Sequence, residues 1–162
     1  MAISVGDKVP SATLLKMGDG GPEGVELQSL LAGRRVVVFG LPGAYTGTCT
    51  TAHVPSFMRT ASDLAAKGVD EIICVSVNDP FVMAAWGEST GASKAGISML
   101  GDATADLHKA MGLTFSAPPA GLIDRSVRYA MLVEDGEVKV LHVEENPGVC
   151  DVSGGEAMLA AM

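Results

Sequence analysis

Basic side chains are scarce in this chain: 11 Lys and Arg stand against 19 Asp and Glu, a net charge of -8 over 162 residues. Such a balance repels phosphate backbones and anionic headgroups, so neither nucleic acid nor a membrane surface is expected as a partner. No Lys/Arg-rich start leads into a short apolar stretch at the N-terminus, and no apolar run approaches the length that crosses a bilayer. The expectation is a soluble, non-exported protein of the cytoplasm. Cysteine is scarce too. The 3 present, an odd number, make no disulfide framework and suit a reducing compartment with one or more working thiols. Internal repeats and a second compositional unit are both missing, so residues 1–162 are expected to form one domain. His53, His108 and His142 share no metal-ligand spacing.

What is present is enough apolar residue, 48%, to bury a core. A short alternation at Ala12, Leu14 and Leu15 precedes Gly18 to Gly24. Those glycines follow no buried strand, contain Pro22 and lead to no Lys-Ser/Thr, so they read as a flexible turn and not as a phosphate loop. Leu27 to Leu31 reads as a short helix, and Arg35 to Phe39 as a strand buried on both faces, as in a parallel sheet. Ile72 to Val77 is a second buried strand, then Asp79 and Pro80 suit the N-cap and first position of a helix. Ile97 to Leu100, a helix ending at Gly112 and a loop through Pro118 and Pro119 follow. Val127 to Val133 and Val138 to Val143 flank an Asp135-Gly136 turn, a hairpin signal. Ser153 to Glu156 has capping-box spacing ahead of a last helix. This order is α/β in class and thioredoxin-like: a central mixed sheet flanked by helices, with a late antiparallel hairpin and a C-terminal helix.

Cys49 lies where the first buried strand hands over to a helix. The free N–H groups and positive dipole end there favour thiolate over thiol, although a small buried apolar role for Cys49 is equally compatible with position alone. Pro55, inside the predicted helix, deletes a hydrogen bond and costs about 3 kcal/mol unless the helix bends, which leaves the turn bearing Cys49 weakly tied. No second cysteine stands at Cys-x-x-Cys spacing, since positions 46 and 52 are Thr46 and Ala52. In its place stands Pro42-x-x-x-Thr46-x-x-Cys49.

With that motif, with Cys74-Val75-Ser76-Val77-Asn78-Asp79-Pro80-Phe81 and with Arg128-Tyr129-Ala130-Met131, the chain resembles the peroxiredoxins, and within them the type II, peroxiredoxin-5-like subfamily. The resemblance implies a thiol peroxidase acting on hydrogen peroxide and organic hydroperoxides with no metal or organic cofactor. It makes Cys49 the peroxidatic cysteine, Thr46 the residue orienting the peroxide, Pro42 the shield of the thiolate and Arg128 its stabiliser. Gly47 departs from a proline common in the subfamily. It also implies a homodimer with contacts near Tyr45 and Phe81. Full ionisation of a thiol of ordinary pKa gains only roughly 30-fold in nucleophile, so donors around the breaking O–O bond must supply the larger share. The sulfenic acid formed on Cys49 is resolved by Cys150, by Cys74 or by an external thiol (glutathione, glutaredoxin or thioredoxin), with Cys150 or the external thiol preferred to Cys74. A non-catalytic redox sensor on the same fold and a Cys/His metal-binding domain built on Cys49 and His53 are the alternatives.

Overall fold

The computed structural model describes residues 2–162; Met1, where the expected domain begins, lies outside them. The run from Val36 to Phe39 decides the architecture. In an extended strand successive side chains point to opposite faces, and here Val37, Phe39 and Leu41 join one apolar cluster while Val36 and Val38 join another. A strand apolar on both faces must lie inside a sheet covered on both sides. It does: β3 (Arg35–Leu41) pairs in parallel with β4 (Glu71–Ser76), which pairs in parallel with β5 (Ile97–Gly101). On its other edge β3 pairs antiparallel with β8 (Tyr129–Glu134), and β8 with β9 (Glu137–Val143). With β1 (Thr13–Gly18) and β2 (Gly21–Glu26) the order across the sheet is β2-β1-β5-β4-β3-β8-β9.

One face carries α2 (Val54–Ala66), α3 (Pro80–Thr90) and α5 (Gly155–Ala161), which contribute Phe57, Leu64, Met83, Trp86 and Met158 to the first cluster. The other carries α1 (Leu27–Leu31) and α4 (Asp106–Met111), with Leu27, Leu31, Leu107 and Met111 in the second. This is the thioredoxin-like layout read from the sequence. Asp79 accepts a hydrogen bond from the Val82 N–H as the N-cap of α3, and the Asp135-Gly136 turn joins β8 to β9 with both residues at positive φ.

Four local expectations are corrected. Gly18 to Gly24 is not a loose turn. Its residues close a hairpin and run on as β2, an edge strand where Pro22 removes no ladder bond the sheet needs. The loop through Pro118 and Pro119 is the tip of a second hairpin, β6 (Thr114–Ala117) with β7 (Leu122–Ser126), which forms its own two-stranded sheet. Pro55 sits in the first turn of α2, and the residues before it, Cys49–His53, form a π-helical turn closed by the Val54 N–H on the Cys49 carbonyl. Pro55 has no N–H to give the residue four before it, so the wider turn takes up the missing bond. Ser153 does not cap α5. Gly154 holds that position, and the Ser153 hydroxyl donates instead to Glu144 Oε2 at 2.7 Å.

Candidate active site

The end of β3 delivers Leu41 into a tight loop, Pro42 to Thr46, whose close follows from Gly43. A Cβ there would come within 2.5 Å of Arg125 Nη1, and that nitrogen donates to the Pro42 carbonyl at 3.0 Å. Tyr45 takes a positive φ of 66° and is turned out to solvent, while Thr46 is turned in. The chain then starts its helical turn, so that Cys49, three residues on, stands under Thr46. The Thr46 hydroxyl lies 2.8 Å from Cys49 Sγ and 2.7 Å from the Gly43 carbonyl. It has one proton and can donate to one of them at a time.

Arg128 reaches the same sulfur from across the sheet. It precedes β8 by one residue, and Ala130 and Leu132 pack into the first cluster, so the period of two turns Arg128 to the Cys49 face as well. Its Nη2 donates to Cys49 Sγ at 3.2 Å, and Nε and Nη2 both donate to the Pro147 carbonyl at 3.1 and 2.9 Å. Nη1 faces His53 Nδ1 at 3.0 Å. The His53 ring packs against Phe39 and Phe57, with centroids 5.0 and 5.7 Å away, and its Nε2 is 3.0 Å from the Ser153 carbonyl. Burial first, and then the Arg128 charge, hold the imidazole down to about 3, against a partial pull upward from Ser153.

Cys49 is fully buried, behind an outward cleft of about 280 Å³. Pro42, Thr46, Gly47, Thr48, Phe115, Leu122, Arg128, Pro147 and Gly148 line it. Thr46 and Arg128 thus line the cleft and touch the sulfur, standing between the two. Phe115 and Leu122 come from the second hairpin, which is why that hairpin is part of the site.

A sequence profile of the redoxin family matches residues 4–159. The chain is 48% identical over 164 residues to peroxiredoxin-2E-2, chloroplastic, of Oryza sativa subsp. japonica, covering 99% of this chain and 72% of that protein. It is 41% identical over 161 residues to peroxiredoxin-2D of Arabidopsis thaliana, covering 99% and 98%. A crystal structure of reduced Prx3 in complex with hydrogen peroxide from Vibrio vulnificus matches with a TM-score of 0.91 at 44% identity over 98% of each chain. The chain belongs to the type II peroxiredoxins. It is a thiol-dependent peroxidase, with a peroxide as its oxidising substrate and a thiol as its reductant.

Of the residues picked out in this peroxiredoxin from sequence, the fold brings Cys49, Thr46, Arg128 and Pro42 together. The two other cysteines make no hydrogen bond to that cluster and differ from each other in setting. Cys74 is fully buried in β4, opposite Phe39 of β3, and burial followed by the nearby Cys49 pushes its thiol well up. Cys150 is half-buried in the loop before α5, its Sγ 3.9 Å from the Ser153 hydroxyl, and burial again pushes its thiol up. All three are free. His53 turns to Arg128 and not to the sulfur, which removes the Cys/His pairing, and among the described residues no cluster of three or more His, Cys, Asp or Glu is placed to hold a metal. Arg125 and Glu144 went unnoticed in sequence. Glu144 Oε2 gathers the N–H groups of Asp151, Val152 and Ser153 at 2.8 to 2.9 Å, contacts no short-range pattern announces.

Proposed function

We propose that Cys49 is the peroxidatic cysteine of this enzyme, and that Thr46, Arg128 and Pro42 form the pocket in which a hydroperoxide is reduced. The observation that carries this is the convergence of the Thr46 hydroxyl and Arg128 Nη2 on one buried sulfur at 2.8 and 3.2 Å, both groups lining the cleft above it. An incoming peroxide displaces the Thr46 hydroxyl from the sulfur. That hydroxyl then donates to the Gly43 carbonyl and offers its lone pair to the peroxide O–H. The Cys49 thiolate forms an S–O bond to the terminal oxygen, the O–O bond breaks, and its electron pair leaves on the second oxygen, which takes up a proton as alcohol or water. Sulfur is oxidised to sulfenic acid and the peroxide is reduced, two electrons each. Charge grows on the departing oxygen, and Arg128, held in a dry pocket with its donors already aimed, stabilises it more than the ground state. The Pro42 ring and the wall of Phe115 and Leu122 keep water from the sulfur. Cys49→Ser is expected to abolish peroxide consumption, and retained turnover refutes the assignment.

Resolution by Cys150 is proposed next, with an external thiol such as glutathione, glutaredoxin or thioredoxin as the alternative reductant. The loop bearing Cys150 already leans on the turn bearing Cys49, because the Thr48 hydroxyl donates to the Gly148 carbonyl at 2.7 Å. Cys74 is pinned between β3 and β5 and is disfavoured. Condensation of Cys150 thiol with the sulfenic acid releases water and leaves a disulfide that an external dithiol reduces. Non-reducing mass spectrometry after one equivalent of peroxide separates these routes: a Cys49 to Cys150 crosslink supports the first, a sulfenic acid awaiting thiol the second, a Cys74 crosslink neither. A reducing compartment, the cytoplasm, is proposed with this need for thiol. A homodimer through Tyr45 and Phe81 is proposed from their exposure, 56% and 62%, in a chain whose other large aromatic nearby, Trp86, is buried behind Tyr45 at 6.4 Å. Sedimentation of Phe81→Arg as monomer, against dimer for the parent, is the expected outcome.

A further inference from the structure

Arg128 is a buried cation with an unusual set of partners. Its donors go to the Pro147 carbonyl, to Cys49 Sγ and to His53 Nδ1, and none goes to an Asp or Glu among the described residues. Buried guanidinium groups ordinarily take a carboxylate partner, since a lone charge out of water is costly. Here the place a carboxylate would take is filled by an imidazole. The geometry fixes that ring's protons. Nε2 lies 3.0 Å from the Ser153 carbonyl, which can only accept, so Nε2 carries the hydrogen and Nδ1 offers its lone pair to Arg128 Nη1. The Ser153 carbonyl is in turn held in place, because the Ser153 N–H and hydroxyl both donate to Glu144 Oε2, at 2.8 and 2.7 Å.

We propose that His53 is the positioning residue of Arg128: Nδ1 fixes the guanidinium where Nη2 reaches the Cys49 sulfur and adds no negative charge, so the cation's charge is left for the sulfur and the peroxide. A carboxylate at this position would hold the arginine as firmly and neutralise it. Burial also keeps the ring uncharged through neutral pH, with His53 held down to about 3, so its acceptor is not lost to a proton in that range. The proposal rests on the role proposed above for Arg128.

Asn and Asp at position 53 separate holding from charge. The Oδ1 of either stands near the position of Nδ1, and the two, alike in size, differ in charge and in the second head-group atom, a donor in Asn and an acceptor in Asp. The rate of Cys49 oxidation by peroxide is read from the fluorescence of Trp86, the chain's single tryptophan, whose Nε1 donates to the hydroxyl of Thr50 beside Cys49 at 3.1 Å. His53→Asn, which keeps the acceptor and gives up the Ser153 tether, is expected to slow oxidation by less than about tenfold, and His53→Asp to fall a further ~100-fold, the scale of a lost transition-state donor. His53→Asp is also expected to show weaker ultraviolet thiolate absorbance at the same pH and to melt no lower than His53→Asn. Equal rates for the two variants, or rates that follow their melting temperatures, overturn the proposal. Arg128→Met keeps the two readings apart: slow Arg128→Met with fast His53→Asp overturns the role of His53 alone, and fast Arg128→Met overturns the role of Arg128 and this proposal with it.

Discussion

Arg128 and Tyr129 are neighbours, so they point to opposite faces of the sheet, and each meets a buried histidine there. On the far face the Tyr129 hydroxyl lies 3.1 Å from His108 Nε2, and His108 Nδ1 lies 2.8 Å from Asp102 Oδ2. Asp102 also takes the N–H groups of Leu107 and His108. Burial pushes its carboxyl up, but the hydrogen bond and charge of His108 and those two N–H groups outweigh it and hold Asp102 below the ordinary carboxylate value. Burial pushes the Tyr129 phenol well up, which keeps it a donor. This array closes on itself: each side chain's need is met by the next. On the near face the same ring type serves Arg128, and among the described residues no carboxylate touches the ring or the guanidinium; Glu144 is reached only through Ser153. The closed array is a lock that ties the end of β5, through α4, to β8. The open one holds a charge whose remaining side-chain partner is the Cys49 sulfur. The two buried clusters differ in that Asp102 bonds the ring directly on one face, while on the other no carboxylate among the described residues touches the ring or Arg128.

The sharpest break of that contrast is Arg128→Met. It removes the donor nearest the sulfur and should lower the rate of peroxide reduction by about 10²- to 10³-fold, while thermal stability stays level or rises because an uncompensated buried charge has gone. Stopped-flow rates with calorimetry check both halves. A comparable loss of stability would mean that Arg128 was structural. Asp102→Asn acts on the other array and is expected to do the reverse. It leaves His108 Nδ1 and two backbone N–H groups facing a weaker acceptor, with a cost of about 3 kcal/mol in denaturant unfolding. The peroxide rate per folded molecule should stay within about twofold, since nothing in that array reaches Cys49.

Acid titration comes next in size. His53 is held well below the ordinary imidazole value of 6.5, so the folded protein refuses a proton that the unfolded chain accepts. Stability from this group is full above pH 6.5 and is lost as pH falls toward about 3, at about 1.4 kcal/mol per pH unit. Asp102 and Glu144, both depressed, add their losses only at more acid pH, below the ordinary carboxylate values. Denaturant unfolding between pH 6.5 and 4.5 should therefore slope in the parent and lose most of that slope in His53→Asn.

Much of this was legible because it is local. Val36 to Phe39 could be read as a two-faced strand and Asp135-Gly136 as a hairpin turn, while Thr46 and Cys49 were joined by the motif resemblance, three residues apart as one helical turn requires. β2 was missed because an exposed edge strand rich in Gly and Pro carries no alternation to read, and its pairing with β1 supplies the order. The burial of Arg128 was out of reach from composition, which makes arginine a surface residue. It depends on Pro147 and His53, 19 and 75 residues away, and only the motif resemblance pointed to it. Ser153 misled in the opposite way: its spacing to Glu156 fits a cap, but Glu144, nine residues earlier, claims the hydroxyl first.

The smallest test is the most specific to the closed array. Tyr129→Phe deletes one hydroxyl and nothing else. The ring still fills the space over Gly40, where a Cβ would lie 2.2 Å from it, so packing is kept and only the bond to His108 is lost. A neutral buried hydrogen bond of this kind is worth about 1 kcal/mol. His108 keeps its proton toward Asp102, and Asp102 keeps its two N–H donors, so the lock should loosen by that amount and no more. The stability of Tyr129→Phe should fall by about 1 kcal/mol while its peroxide rate is that of the parent. A fall in rate would mean that the two faces communicate through the backbone of residues 128 and 129, and that the closed array also holds Arg128 in place.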